Sequence, residues 1–239
     1  MSAAELAAAF AEARGTACRA REVYEEHWKS NPCGEDCTRE RFESWKERND
    51  AARAAHRRAV LVAAYWREVV VDRLSADVCE AYAAALPRFV GRQAGEKTRA
   101  KLYAAVAERL KAAGHARNEN GDALPEVYVC GWGAGQLTAR ADGVQVELFG
   151  RAPNVDRFLE FVGKTNAFTD AVPARYPLDL SKFESADEFA DAFERTTAEL
   201  ERLRVEYNNK VSALRKRAAW GDCTPLYSLA DRMRDEVVR

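Results

Sequence analysis

His27, Cys33 and Cys37 lie close together in the first part of the chain. Thiolates and a neutral imidazole are zinc donors, and a turn between two helices would bring all three towards one ion. The usual close pair is Cys-x2-Cys, whereas this one is Cys-x3-Cys. A fourth donor would have to be Glu26, Glu35 or Asp36. The plainer alternatives are a local disulfide or two free thiols, and a packed histidine at His27.

A second run, Gly91-Arg92-Gln93-Ala94-Gly95-Glu96-Lys97-Thr98, has the composition of a phosphate-binding loop but not its spacing. A P-loop needs four residues between its glycines and an unbroken Gly-Lys-Thr. Here three residues separate the glycines, and Glu96 splits Gly from Lys. What remains is a basic cluster, Arg88, Arg92, Lys97, Arg99 and Lys101, at the start of a helix, a place where free N–H groups attract anions. Nucleic acid is the macromolecular partner such a cluster would take, with Tyr128 and Trp132 as stacking surfaces. The overall charge of −1 supplies no long-range attraction to it, and no nucleic-acid-binding motif is present.

Enzyme signatures are missing. There is no His-Glu-x-x-His and no Gly-x-Ser-x-Gly, and the three histidines are far apart in sequence. Gly131-Trp132-Gly133-Ala134-Gly135 is the loop most permissive of a close ligand, so an enzyme would have its site there. A non-enzymatic protein is the favoured expectation.

These residues are positioned by long helices. No Gly or Pro occurs from Thr38 to Leu86 or from Leu178 to Trp220, and those are the residues that break helices. The first helix is predicted from about Ala3 to Trp28, with Leu6, Phe10, Ala13, Ala17, Ala20, Tyr24 and His27 on one seam. Ser30 to Cys37 forms a turn, and Thr38 caps a second helix over Arg39 to Leu74. Its seam reads Phe42, Trp45, Asn49, Ala52, His56, Ala59, Ala63, Trp66 and Val70. A short turn between long helices makes them antiparallel neighbours. Ser75 is read as the cap of a separate helix, Ala76 to Leu86, stopped by Pro87. Another helix is expected from Glu96 to Ala113, with Gly114 at its C-terminal cap.

Three short strands follow: Glu126 to Cys130, Gln136 to Ala141 and Val144 to Phe149. Asp142-Gly143 is a two-residue hairpin turn between the last two. A helix is expected from Val155 to Gly163. Val144 to Val162 resembles the strand–helix half of an acylphosphatase-type ferredoxin-like domain. The Arg and Asn positions that carry that family's catalysis have no matching motif, so no activity follows from it.

The last long helix is expected over Ala186 to Ala219, with a short helix after Thr224-Pro225. Phe189, Phe193, Thr196, Leu200, Leu203, Tyr207, Val211 and Leu214 form its apolar line. Glu184 to Glu201 holds seven acids and one base; Arg202 to Arg217 holds six bases and one acid. That order suits the helix dipole, and it also suits antiparallel pairing of acidic with basic halves. Phe189, Phe193, Leu200, Leu203, Tyr207 and Leu214 are therefore the expected interface to a protein partner or a second copy.

The fold class expected is mainly α: a bundle with long antiparallel helices and a small three-stranded antiparallel β insertion. The regions are 1–113, 114–150 and 151–239. The role expected is a scaffold, assembly or adaptor protein, including a component of a large or virion-type assembly. Glu5 and Glu12 interrupt the first apolar residues, unlike a secretory leader, and no apolar stretch is long enough to span a bilayer. An intracellular, soluble protein with no membrane partner, and no cofactor beyond the zinc considered above, is the corresponding expectation.

Overall fold

A computed structural model describes residues 1–32, 37–89, 95–116, 127–132, 136–149, 172–173 and 179–218. The chain divides into two compact units, Met1–Asp187 and Glu188–Arg239. The fold is mainly α, with a small antiparallel sheet.

Helix α1 spans Ala3–Lys29 and begins with a reciprocal cap. The Ser2 hydroxyl accepts from the Glu5 N–H, and the Glu5 carboxylate accepts from the Ser2 N–H at 2.6 Å. Helix α2 spans Arg39–Ala85, 47 residues, with Thr38 as its cap. At 1.5 Å per residue it is about 70 Å long. The expected break at Ser75 does not occur. The Ser75 hydroxyl donates 2.7 Å back to the Val71 carbonyl inside an unbroken helix. Pro87 does end the run, in a short 3-10 turn, Leu86–Arg88.

Helices α1 and α2 pack side by side and antiparallel, the end of α1 against the start of α2. Leu6, Phe10 and Ala13 are buried, and Ala17, Ala20, Tyr24 and His27 are half-buried along the seam the spacing predicts. Near the hairpin tip the Trp45 indole N–H donates to the His27 carbonyl at 2.8 Å, and Tyr24 stacks on His56. The second half of α2 enters the main core with Val70, Leu74, Val78 and Tyr82.

Helix α3 spans Glu96–Ala112 and buries Leu102, Tyr103, Val106 and Leu110. It ends in a Schellman motif. Gly114 has φ +96°, and the His115 N–H donates to the Leu110 carbonyl while Gly114 N–H donates to Lys111. Glycine suits that left-handed position because it carries no Cβ.

Strands β1 (Tyr128–Trp132), β2 (Gln136–Ala141) and β3 (Val144–Phe149) form an antiparallel meander, extended by the two-residue β4 (Val172–Pro173). Val129 pairs with Ala139, Ala139 with Val146, and Leu137 with Leu148. This face, with Val127, Ala141 and Val144, is buried and belongs to the same core as α1, α2 and α3. The β2–β3 turn has φ +54° at Asp142 and +76° at Gly143, two left-handed residues as in a type I′ hairpin.

Helix α4 spans Ala186–Ala218, 33 residues. The expected helices at 155–163 and after Thr224 lie outside the described residues. No described helix is long and apolar enough to cross a membrane.

Candidate functional site

Two features stand out chemically: a line of exposed apolar side chains on α4 and a buried charged cluster under the β2–β3 turn.

On α4, Phe193 is 49% exposed, Leu200 62%, Leu203 46% and Tyr207 39%. A large exposed apolar line on a helix is unusual because it leaves apolar surface in water. Leu214 is half-buried, and Phe189 is buried, so Phe189 does not extend the exposed line. The flanks carry ion pairs within the helix. Arg202 makes a two-pronged contact to Glu199 at 2.6 and 2.8 Å, and Lys210 reaches Glu206 at 2.6 Å. The Arg202 hydrogen bond holds the Glu199 carboxyl below its usual range, and Lys210 does the same for Glu206.

The buried cluster is built from three separate elements. The Schellman turn after α3 delivers His115 inward, leaving its side chain 1% exposed. Asp77 comes from the buried stripe of α2, and Asp142 from the β2–β3 turn. His115 Nε2 lies 2.9 Å from the Asp77 carboxylate, and Nδ1 lies 2.5 Å from that of Asp142. Asp77 also accepts from Arg73 Nε at 2.8 Å. Asp142 accepts from the Ala116 N–H at 2.9 Å, and its own N–H donates to the Ala116 carbonyl.

A neutral imidazole has one donor and one acceptor nitrogen; only the imidazolium donates from both. Two carboxylates, one on each nitrogen, therefore select the charged form. Burial pulls the His115 pKa down, but the hydrogen bonds to Asp142 and Asp77, with their charges, outweigh it and raise the pKa above the ordinary histidine value. The buried His115 cation faces the two buried carboxylates, and Arg73, whose side chain is exposed, adds a second positive charge at the edge of the cluster.

Sequence spacing overlooked this cluster. Asp77 continues the seam of α2 past Val70 and Leu74 towards Ala81, and a carboxylate on a buried seam was the available signal. Asp142 was legible only as a turn residue, and His115 only as the start of a polar connection.

The other sites are placed as follows. His27 is half-buried at the hairpin tip, and Cys37 is half-buried with its thiol 3.8 Å from the Thr38 carbonyl. Cys33 lies outside the described residues. Among the described residues, no three His, Cys, Asp or Glu side chains converge as metal ligands. Of the basic cluster, Arg88, Lys97 and Lys101 are exposed, Arg99 is half-buried, and Arg92 lies outside the described residues. Lys97 and Lys101 are one turn apart on α3, whereas Arg99, two residues from each, projects on another side. Arg99 lines a groove of about 670 Å³ between α3 and β1, with Glu96, Glu108 and Lys111.

The expected glycine loop starts later than the sequence suggested. Gly131 and Trp132 belong to β1, and Gly131 pairs with Leu137. The Tyr103 ring fills the space where a Gly131 side chain would stand. The small residue there accommodates packing from α3. Gly133, Ala134 and Gly135 lie outside the described residues.

Comparison with protein-family models, curated proteins and solved structures finds no match to this chain.

Proposed function

We propose that the protein is a non-enzymatic assembly protein that pairs with a second copy of itself, antiparallel, through α4. The observation that carries this reading is the exposed line Phe193, Leu200, Leu203 and Tyr207 on one 33-residue helix. The charge reversal supports a second copy as the occupant. A two-fold axis between Glu201 and Arg202 sets Leu200 of one copy against Leu203 of the other, and Thr196 against Tyr207. The same axis lays the acidic half of one copy, Glu184 to Glu201, alongside the basic half of the other, Arg202 to Arg217. Parallel pairing would instead put like charges side by side, which is unfavourable.

Light scattering on the purified full chain tests this. A dimer mass is expected, falling to the monomer mass in a Leu200→Glu/Leu203→Glu variant that retains its helix signal by circular dichroism. A monomer at concentrations up to about 100 μM, where a weak 10 μM complex would form, would sink the reading.

A further inference from the structure

We propose that Asp77, His115 and Asp142 form a proton-controlled latch that fastens the β2–β3 turn to α2 and to the chain leaving α3. The cluster sits where three elements far apart in sequence meet. His115 is 27 residues from Asp142 and 38 from Asp77. With the imidazolium in place, both carboxylates receive an N–H and the set is neutral. Removing one proton leaves one ring nitrogen as a lone pair facing a carboxylate, out of water, where that contact is repulsive.

The two sides of the ring are not equivalent. Asp77 keeps Arg73, and both lie on the same helix, so losing His115 there moves nothing. Asp142 keeps its two backbone hydrogen bonds with Ala116, but it sits in the two-residue turn at the tip of the β2–β3 hairpin, where Phe10 and Arg14 of α1 lie beside Gly143. Beside it is a groove of about 360 Å³ lined by Ala7, Ala11, Arg14, Cys18, Ala116 and Asp142, which gives water a route to the turn. The turn is therefore the part that yields.

The charged groups at and beside the cluster belong to three elements. Arg73 and Asp77 belong to α2, Asp142 to the turn, and Arg14 of α1 reaches towards Gly143. Because His115 has its pKa raised by the fold, the latch is closed below the ordinary histidine range and opens as pH rises through the raised value.

The test is nitrogen-15 NMR of the imidazole rings, with amide exchange at Ala116 and Asp142 corrected for intrinsic rates, on the full chain. His115 is expected to titrate above about 6.5. On the alkaline side of that step, protection at Ala116 and Asp142 should fall by about tenfold, a local opening, while Leu61 in mid-α2 stays protected. In Asp142→Asn, which keeps an acceptor but loses the charge, the His115 midpoint should fall. In His115→Gln, protection should not change across the same pH range. Titration of His115 at or below the ordinary value overturns the proposal. So does a ring that stays protonated to pH 10, or an unchanged loss of protection in His115→Gln.

Discussion

A Cβ on Gly131 would fall on the hydroxyl oxygen of Tyr103, well inside van der Waals contact. Tyr103 is itself buried against β1, so the ring cannot swing clear without disturbing α3. Gly131→Ala is expected to cost about 1–3 kcal/mol, the usual range for overpacking a core. Combining it with Tyr103→Leu, which shortens the side chain, should return part of that loss. Urea unfolding of the single and double variants measures both, and additive losses would show that the two positions do not collide. His115 is a different kind of residue, because its loss leaves charge behind. In His115→Ala the buried Asp77 and Asp142 carboxylates lose their shared cation. Removing one partner of a buried ionic set costs about 3–5 kcal/mol. The pH dependence follows from the direction of the shift. A histidine whose folded pKa is raised stabilises the fold fully below its unfolded pKa, and that contribution fades as pH rises through the folded value. Wild-type stability should therefore decline above about pH 6.5, while His115→Ala should be flatter over the same window. Parallel pH profiles for the two proteins would mean that His115 is not the titrating group.

Helix α2 separates two readings of one serine. If Ser75 were a cap, Ser75→Ala would cost about 1 kcal/mol. As an interior residue bonded to the carbonyl four positions back, it trades that bond for the better helix propensity of Ala, worth about 0.5 kcal/mol. A change of less than about 0.5 kcal/mol is expected, against about 1 kcal/mol for Thr38→Ala, where the hydroxyl caps Arg41. Equal losses at the two sites in thermal unfolding would contradict the continuous helix. The same contrast explains what was legible in sequence. Thr38 follows an Asn-Pro turn, so its capping role had a breaker beside it. Ser75 has none, and Val70, Leu74, Asp77 and Ala81 carry the seam straight past it. Strands β2 and β3 were legible to the residue because Asp142-Gly143 fixes their register. Strand β1 was shifted because Gly131 and Trp132 read as loop until Tyr103 is seen packing onto the glycine. The cluster was not legible for a related reason. Sequence periodicity reports neighbours within one element, whereas Asp77, His115 and Asp142 belong to a helix, a helix exit and a hairpin turn that only tertiary packing unites.

Self-pairing of the whole chain through α4 makes a geometric prediction that mass measurement alone does not. With the axis between Glu201 and Arg202, Thr196 of one copy lies against Tyr207 of the other. Within one copy these residues are eleven positions apart, about 16 Å along the helix, so no disulfide can join them there. A Thr196→Cys/Tyr207→Cys variant is therefore expected to form a disulfide between copies under mild oxidation. A Leu200→Cys single variant should cross-link poorly, because Leu200 faces Leu203 and not its own counterpart. Parallel pairing reverses both outcomes, since it brings each Leu200 beside the other. Peptide mapping of the cross-linked product assigns the bond and separates it from disulfides at the native cysteines, of which Cys18 is exposed. Charge sets a second condition on the same complex. Opposed acidic and basic halves on exposed flanks are screened by salt, over a distance that shrinks from about 10 Å at 0.1 M to about 3 Å at 1 M. The dimer should weaken across that range without dissociating entirely, because the Leu200–Leu203 contact is apolar. Strengthening with salt would locate the association in apolar surface alone and remove the charge reversal as its cause.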